Sequence, residues 1–126
     1  MKNRIDAPFS VGTDIVEIGR MRRSIAKESF VRRVFSAREQ EYFSLKKDPA
    51  DSMAANWAAK EAFSKALRTG VREFELTEVE CLRDELGAPY LILSGKAEQA
   101  AEDFGFSVSL SHDGDYAVAV VLAYRK

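Results

Sequence analysis

The chain has 126 residues, 46% of them hydrophobic and 31% charged, with a formal net charge of −1. That composition predicts one globular domain over residues 1–126 with a core of its own, and gives no footing for bulk nucleic-acid or membrane binding. One cysteine, Cys81, rules out an intrachain disulfide; with a polar start at Met1–Pro8 and no apolar run of membrane-spanning length, a cytoplasmic chain is expected, with Cys81 as a small buried hydrophobe.

Charge is unevenly spread. Between Arg20 and Arg33 six basic residues (Arg20, Arg22, Arg23, Lys27, Arg32 and Arg33) face one acid, Glu28, whereas Val71–Asp103 holds nine acids and three bases. Phe9–Ile18 alternates as a strand. Asp14 shares a face with Val16 and Ile18, where a carboxylate is costly unless paired, hydrogen-bonded or metal-bound; a strand-end position facing water is the competing reading. A helix is predicted from about Glu17 to Lys27, with Arg20, Arg23 and Lys27 as a basic stripe and Met21 and Ile25 inward. A short helical segment follows at Ser29–Phe35. Ser36-Ala37-Arg38-Glu39 is a capping box opening a helix to about Leu45.

Asp48 as N-cap and Pro49 in the first turn begin a long helix whose second half is Asn56–Gly70, with Gly70 as its stop. Trp57, Glu61 and Lys65 fall on one side of it, and Ala58, Ala59, Ala62 and Ala66 allow another backbone to approach. Glu61 and Lys65 also have the spacing and order of an ordinary surface ion pair. Glu78–Arg83 and Pro89–Leu93 read as a hairpin around Asp84–Gly87. Gly95–Phe104 reads as a short helix ended by Gly105. Ser107–His112 and Tyr116–Tyr124 read as a second hairpin about Asp113-Gly114-Asp115. The order implies an α+β fold, a mainly antiparallel sheet packed on a long helix.

Phosphate-loop and dinucleotide fingerprints are absent. One His and one Cys make no usual zinc site, and the consecutive Ser111, His112 and Asp113 cannot converge as a triad. What remains is Asp14 on a strand, Glu61 and Lys65 on a helix, and Ser111-His112 at a strand end. Two carboxylates suit a hard divalent cation such as Mg2+, which usually serves a phosphate-bearing substrate. Lys65 and His112 are then available to phosphate or to a proton, although a hydrogen-bonded strand-end His is the commoner role.

Three stretches together carry a resemblance. Gly12-Thr13-Asp14-Ile15-Val16-Glu17-Ile18-Gly19-Arg20-Met21 resembles the opening G-x-D motif of the holo-acyl-carrier-protein synthases. Trp57-Ala58-Ala59-Lys60-Glu61-Ala62-Phe63-Ser64-Lys65-Ala66 resembles their central W/F-x-x-K-E-[SA]-x-x-K-A motif, and Ser111-His112 with Ala117 and Ala119 resembles their S-H-x-x-x-x-A-x-A motif. The three occur in the family's order and span nearly the whole chain. The chain is identified as a member of the small, single-domain phosphopantetheinyl transferases.

The resemblance implies transfer of the phosphopantetheine arm of coenzyme A to a serine of an acyl carrier protein, leaving adenosine 3′,5′-bisphosphate. It implies Mg2+ on Asp14 and Glu61 at the pyrophosphate, Lys65 near the phosphates, and Ser111 and His112 near the coenzyme A nucleotide. Glu61, Lys65 and His112 are the implied catalytic group, and Arg20, Arg22, Arg23 and Lys27 the implied docking surface for an acidic carrier. It also implies a homotrimer with sites between protomers. Two positions depart from the family: Val16 where two-domain relatives often have a third acid, and Arg68 where Gly is frequent. A non-catalytic carrier-protein or nucleotide-binding module of the same fold, and an unrelated structural domain with Glu61–Lys65 as a surface pair, are the competing readings.

Overall fold

The computed structural model describes residue 5, residues 7–69 and residues 73–126. Strand β1 (Phe9–Glu17) leads into helices α1 (Ile18–Ser24), α2 (Glu28–Val34), α3 (Ala37–Ser44) and α4 (Ala50–Leu67). A 3-10 turn at Leu76–Glu78 precedes the hairpin β2 (Val79–Arg83) and β3 (Pro89–Leu93). Helix α5 (Gly95–Ala100) and the hairpin β4 (Phe104–Asp113) and β5 (Tyr116–Arg125) complete the chain. The sheets are antiparallel: β1-β5-β4 in one and β2-β3 in the other. The α+β expectation therefore holds, although α4, at 18 residues, is an ordinary globular helix rather than an exceptionally long one.

Helix α4 is the shared wall of two apolar cores. Its first half (Ala50, Met53, Ala54, Ala55) packs with Ile18, Met21, Val34, Phe35 and Phe43. Its second half (Ala58, Ala59, Ala62, Phe63, Ala66, Leu67) packs with Val79, Cys81, Ala97, Val121 and Ala123. The alanines bring β1 almost into backbone contact. A Cβ on Gly12 would lie 2.0 Å from the carbonyl oxygen of Ala62 and 2.6 Å from the amide nitrogen of Ala66, so only glycine fits there. The inward face of β1 thus carries Ser10, Gly12, Asp14 and Val16. The opposite face of the sheet leaves Phe9, Val11, Ile15, Tyr116, Val120, Leu122 and Tyr124 exposed.

Several boundaries differ from expectation, each for a tertiary reason. The predicted Glu17–Lys27 helix stops at Ser24; Lys27 is extended (φ −95°, ψ 115°) and starts α2, which brings the Phe30 ring to 5.7 Å from Trp57. Pro49, not Asp48, occupies the cap of α4, while Asp48 still accepts the Ala50 N–H at 3.3 Å. Arg68, at φ 63°, closes α4; the expected stop, Gly70, lies outside the described residues. This left-handed backbone explains why glycine suits that position. Helix α5 ends at Ala100, and β4 begins at Phe104, which is buried and paired with Arg125. Gly105 is within that strand, under the Tyr124 ring, which a Cβ would meet at 2.4 Å.

The polar centre is the buried ion pair of Glu39 and Lys60, 2.7 Å apart, both side chains with 0% exposure. Lys60 Nζ also donates to the carbonyls of Leu76 (2.9 Å) and Val79 (2.5 Å). Glu39 accepts from Asn56 (2.9 Å), from the Cys81 N–H (3.2 Å) and, closing the capping box, from the Ser36 N–H (3.0 Å). Glu39→Ala leaves a buried ammonium without its counter-charge and is expected to cost about 3–5 kcal/mol. A urea titration showing less than about 1 kcal/mol lost would mean that this pair does not hold α3 and β2 on α4.

Candidate active site

The site grows from the seat of β1 on α4. Asp14, the misfit strand residue, lies on the face of β1 toward α4, and Glu61 stands on that helix. The two line one pocket of about 270 Å³ with Val16, Glu17, Arg20, Met21, Phe30 and Trp57. Glu61 holds its proton more tightly than an ordinary glutamate, first because it is partly desolvated and second because Asp14 carries like charge nearby; Lys65 opposes the shift. Lys65 is not ion-paired to Glu61 as the helix spacing suggested. Its ammonium reaches across to β1, donating to the Thr13 carbonyl at 3.0 Å and lying 3.2 Å from Asp14 Oδ1.

Two hard oxygen donors facing one polar volume, one raising the proton affinity of the other, fit a divalent cation that completes its shell with water. Val16 supplies no third donor, and among the described residues no cluster of three His, Cys, Asp or Glu side chains exists. Asp14 and Glu61 are the two residues of the expected pair that line this pocket.

The basic residues form a groove rather than a helical stripe. Arg20, Arg23 and Lys27 line it together with Ser24, Ser29, Phe30 and Arg33; Arg20, Arg23 and Ser24 belong to α1, Ser29, Phe30 and Arg33 to α2, and Lys27 to the turn between them. The groove shares Arg20, Ser24 and Phe30 with the carboxylate pocket, so the two are continuous. Arg22 does not line it; its guanidinium bonds both oxygens of Asp48 at 2.9 and 3.0 Å. Arg33 and Phe30 are residues that motif reading missed; the available signal was the basic run continuing past Lys27 through Arg33.

Ser111 and His112 are not brought to the carboxylates within one chain. Leu110 and Asp14 both pair with Ala119 of the central strand, from opposite sides, so His112 sits two strands away, about 10 Å across the sheet. Both residues instead line a second pocket of about 240 Å³ with Tyr42, Lys46, Asp51, Ser52 and Arg83. The Arg83 guanidinium and the Lys46 ammonium lie 5.0 and 5.2 Å from the Tyr42 ring centroid, a cationic surround that no motif announced. Cys81 is buried, with its thiol pushed up to about 11 by desolvation, and is an inert core residue as expected.

With this geometry in hand, the comparisons with known proteins are specific. Residues 10–121 match the family model of the 4′-phosphopantetheinyl transferase superfamily. The holo-[acyl-carrier-protein] synthase of Fusobacterium nucleatum is 38% identical over 118 residues, 90% of this chain and 97% of that protein. The crystal structure of the Neisseria meningitidis holo-[acyl-carrier-protein] synthase superposes with a TM-score of 0.84 at 30% identity, covering 92% of this chain and 98% of that one. That of the Bacillus anthracis enzyme, in complex with CoA (3′,5′-ADP), gives 0.81 at 29% identity over 93% and 96% of the two chains. The chain belongs to the 4′-phosphopantetheinyl transferase superfamily and, within it, to the holo-[acyl-carrier-protein] synthases, which are enzymes. The readings as a non-catalytic module and as an unrelated structural domain fall with that membership. Among the described residues no helix is long and apolar enough to cross a membrane.

The raised proton affinity of Glu61 has a consequence for stability. Its folded-state pKa exceeds its unfolded one, so its contribution to stability falls as pH rises from the ordinary glutamate range through the raised value. At neutral pH the ionised side chain opposes folding. Glu61→Gln is therefore expected to raise the melting temperature of the metal-free protein at pH 7 and to leave it little changed at pH 4. A lower melting temperature at pH 7 would contradict the shared, repulsive pocket.

Proposed function

We propose that this enzyme transfers the 4′-phosphopantetheine group of coenzyme A to a serine hydroxyl of an apo acyl carrier protein, with Mg2+ held by Asp14 and Glu61. The convergence of Asp14, Glu61 and Lys65 beside a basic groove carries this reading. The serine oxygen bonds to the phosphorus that bears the pantetheine. The bond from that phosphorus to the oxygen bridging to the adenosine side breaks, and the products are holo carrier protein and adenosine 3′,5′-bisphosphate. Mg2+, held by Asp14 and Glu61, would supply charge neutralisation to the phosphates. Lys65, on the rim, steadies the phosphates. Glu61, which lines the same pocket, is the carboxylate assigned to receive the serine proton. Trp57 and Phe30 form the apolar wall on which the arm lies between groove and pocket.

Ser111 and His112, with Lys46 and Arg83, are assigned to the nucleotide end of coenzyme A. Their distance from the carboxylates supports a homotrimer in which one protomer offers Asp14 and Glu61 and its neighbour offers His112. The apolar outward face of the β1-β5-β4 sheet, with Phe9, Val11 and Ile15 each about 60% exposed, suits such an assembly. Light scattering that finds a fully active monomer at assay concentration would remove the shared site.

Asp14→Asn and Glu61→Gln are each expected to cut transfer by about a hundredfold or more while the protein stays folded. The readout is the mass gain of apo carrier protein in the presence of coenzyme A and Mg2+. Near wild-type turnover of Glu61→Gln at saturating Mg2+ would sink the metal-ligand role.

The groove of Arg20, Arg23, Lys27 and Arg33 is complementary to an acidic carrier protein, and complementary charge chiefly speeds encounter and fixes orientation. Arg23→Glu is expected to raise the KM for carrier protein and weaken its salt dependence, with the KM for coenzyme A nearly unchanged; Arg22→Glu, away from the groove, is expected to do much less. Equal effects of the two reversals would mean that carrier protein docks elsewhere.

A further inference from the structure

Lys65 stands in an unusual relation to the two carboxylates. It springs from the last turn of α4, and its side chain remains 57% exposed, while Asp14, which it touches, is only 18% exposed. It does not line the Asp14–Glu61 pocket; it covers Asp14 from outside, with one contact to Oδ1 and one to the Thr13 carbonyl. Ion pairs of this exposure are weak, and a lysine has four rotatable stem bonds, so this ammonium leaves at little cost. A divalent cation bound to Asp14 neutralises the same carboxylate and repels the ammonium beside it. Lys65 and the cation are therefore competitors for Asp14. Once displaced, the ammonium is at the rim of the pocket into which a phosphate-bearing substrate brings negative charge.

We propose that Lys65 is a movable counter-ion: it holds Asp14 in the empty enzyme and passes to the substrate phosphate when a divalent cation takes the carboxylate. The inference rests on the metal-site reading of Asp14 and Glu61 given above, and adds to it a coupling. Each of the two ligands removes an obstacle to the other, because metal frees the lysine that phosphate needs, and phosphate draws off the lysine that excludes metal. By linkage, coenzyme A must tighten metal binding by the same factor as metal tightens coenzyme A binding.

The test measures binding, not turnover. Mn2+ is titrated into the wild-type full-length chain and into Lys65→Met, with and without coenzyme A, and free Mn2+ is read by electron paramagnetic resonance. Lys65→Met is expected to bind Mn2+ about three- to tenfold more tightly than wild type without coenzyme A, from lost competition and lost repulsion. Coenzyme A is expected to tighten Mn2+ binding to wild type markedly and to Lys65→Met much less. Equal or weaker Mn2+ binding by Lys65→Met would overturn the counter-ion role, as would tighter binding with the coenzyme A effect undiminished. Absence of Mn2+ binding to wild type, even with coenzyme A present, would instead overturn the metal reading itself, so the two failures are distinguishable. Lys65→Gln, which keeps a polar tip without the charge, is expected to follow Lys65→Met.

Discussion

The ion pair of Glu39 and Lys60 is the constraint from which the site follows. A buried ammonium is tolerable only with a counter-charge and satisfied hydrogen bonds, and Lys60 has both: one carboxylate and two carbonyls. Those partners come from α3, from the 3-10 turn and from β2, so the network sets the rotation of α4 about its axis. Glu61 is the next residue, about 100° further round the helix. With Lys60 committed to the core, Glu61 has to face β1. The polar centre of the fold and the carboxylate of the site are thus neighbours in sequence with opposite duties.

The same helix sets the distance as well as the direction. Four buried alanines and the absence of a Cβ at Gly12 let β1 lie against α4. That closeness allows Lys65 to span from helix to strand and puts Asp14 and Glu61 into one volume. The cost is electrostatic: two carboxylates share a partly desolvated pocket, and the proton affinity of Glu61 rises. Repulsion of this kind marks sites where stability is surrendered for chemistry. The short, interrupted helices α1 and α2 serve the same end, because the turn at Lys27 folds Phe30 back onto Trp57 and joins the basic groove to the pocket.

Much of this was legible in the chain. Asp14 was recognisable as a carboxylate out of place on a strand face. The Ser36–Glu39 capping box, both hairpins and the small-residue face of α4 followed from local rules. What local rules missed was tertiary. Glu39 reads as a capping residue, yet its capping oxygen also pairs with Lys60 and its other oxygen accepts from Asn56 and the Cys81 N–H; nothing in the spacing of Lys60 distinguishes a core lysine from a surface one. Arg22 stands beside the basic stripe and joins the docking surface by resemblance, but Asp48, far along the chain, pairs with it. Glu61–Lys65 has ideal helix spacing, and the lysine nevertheless prefers Asp14, because β1 lies within its reach. Resemblance alone links His112 to the site, and its place two strands from Asp14 depends on sheet order, which no motif encodes.

The proposed function requires Asp14 and Glu61 to face one cation-binding volume. Titration of the Glu61 side-chain carboxyl by carbon-13 NMR, with and without Mg2+, tests it most directly. A midpoint above the ordinary glutamate range is expected in the metal-free protein, with a clear downward displacement when Mg2+ is added. An ordinary midpoint that does not respond to Mg2+ would contradict it.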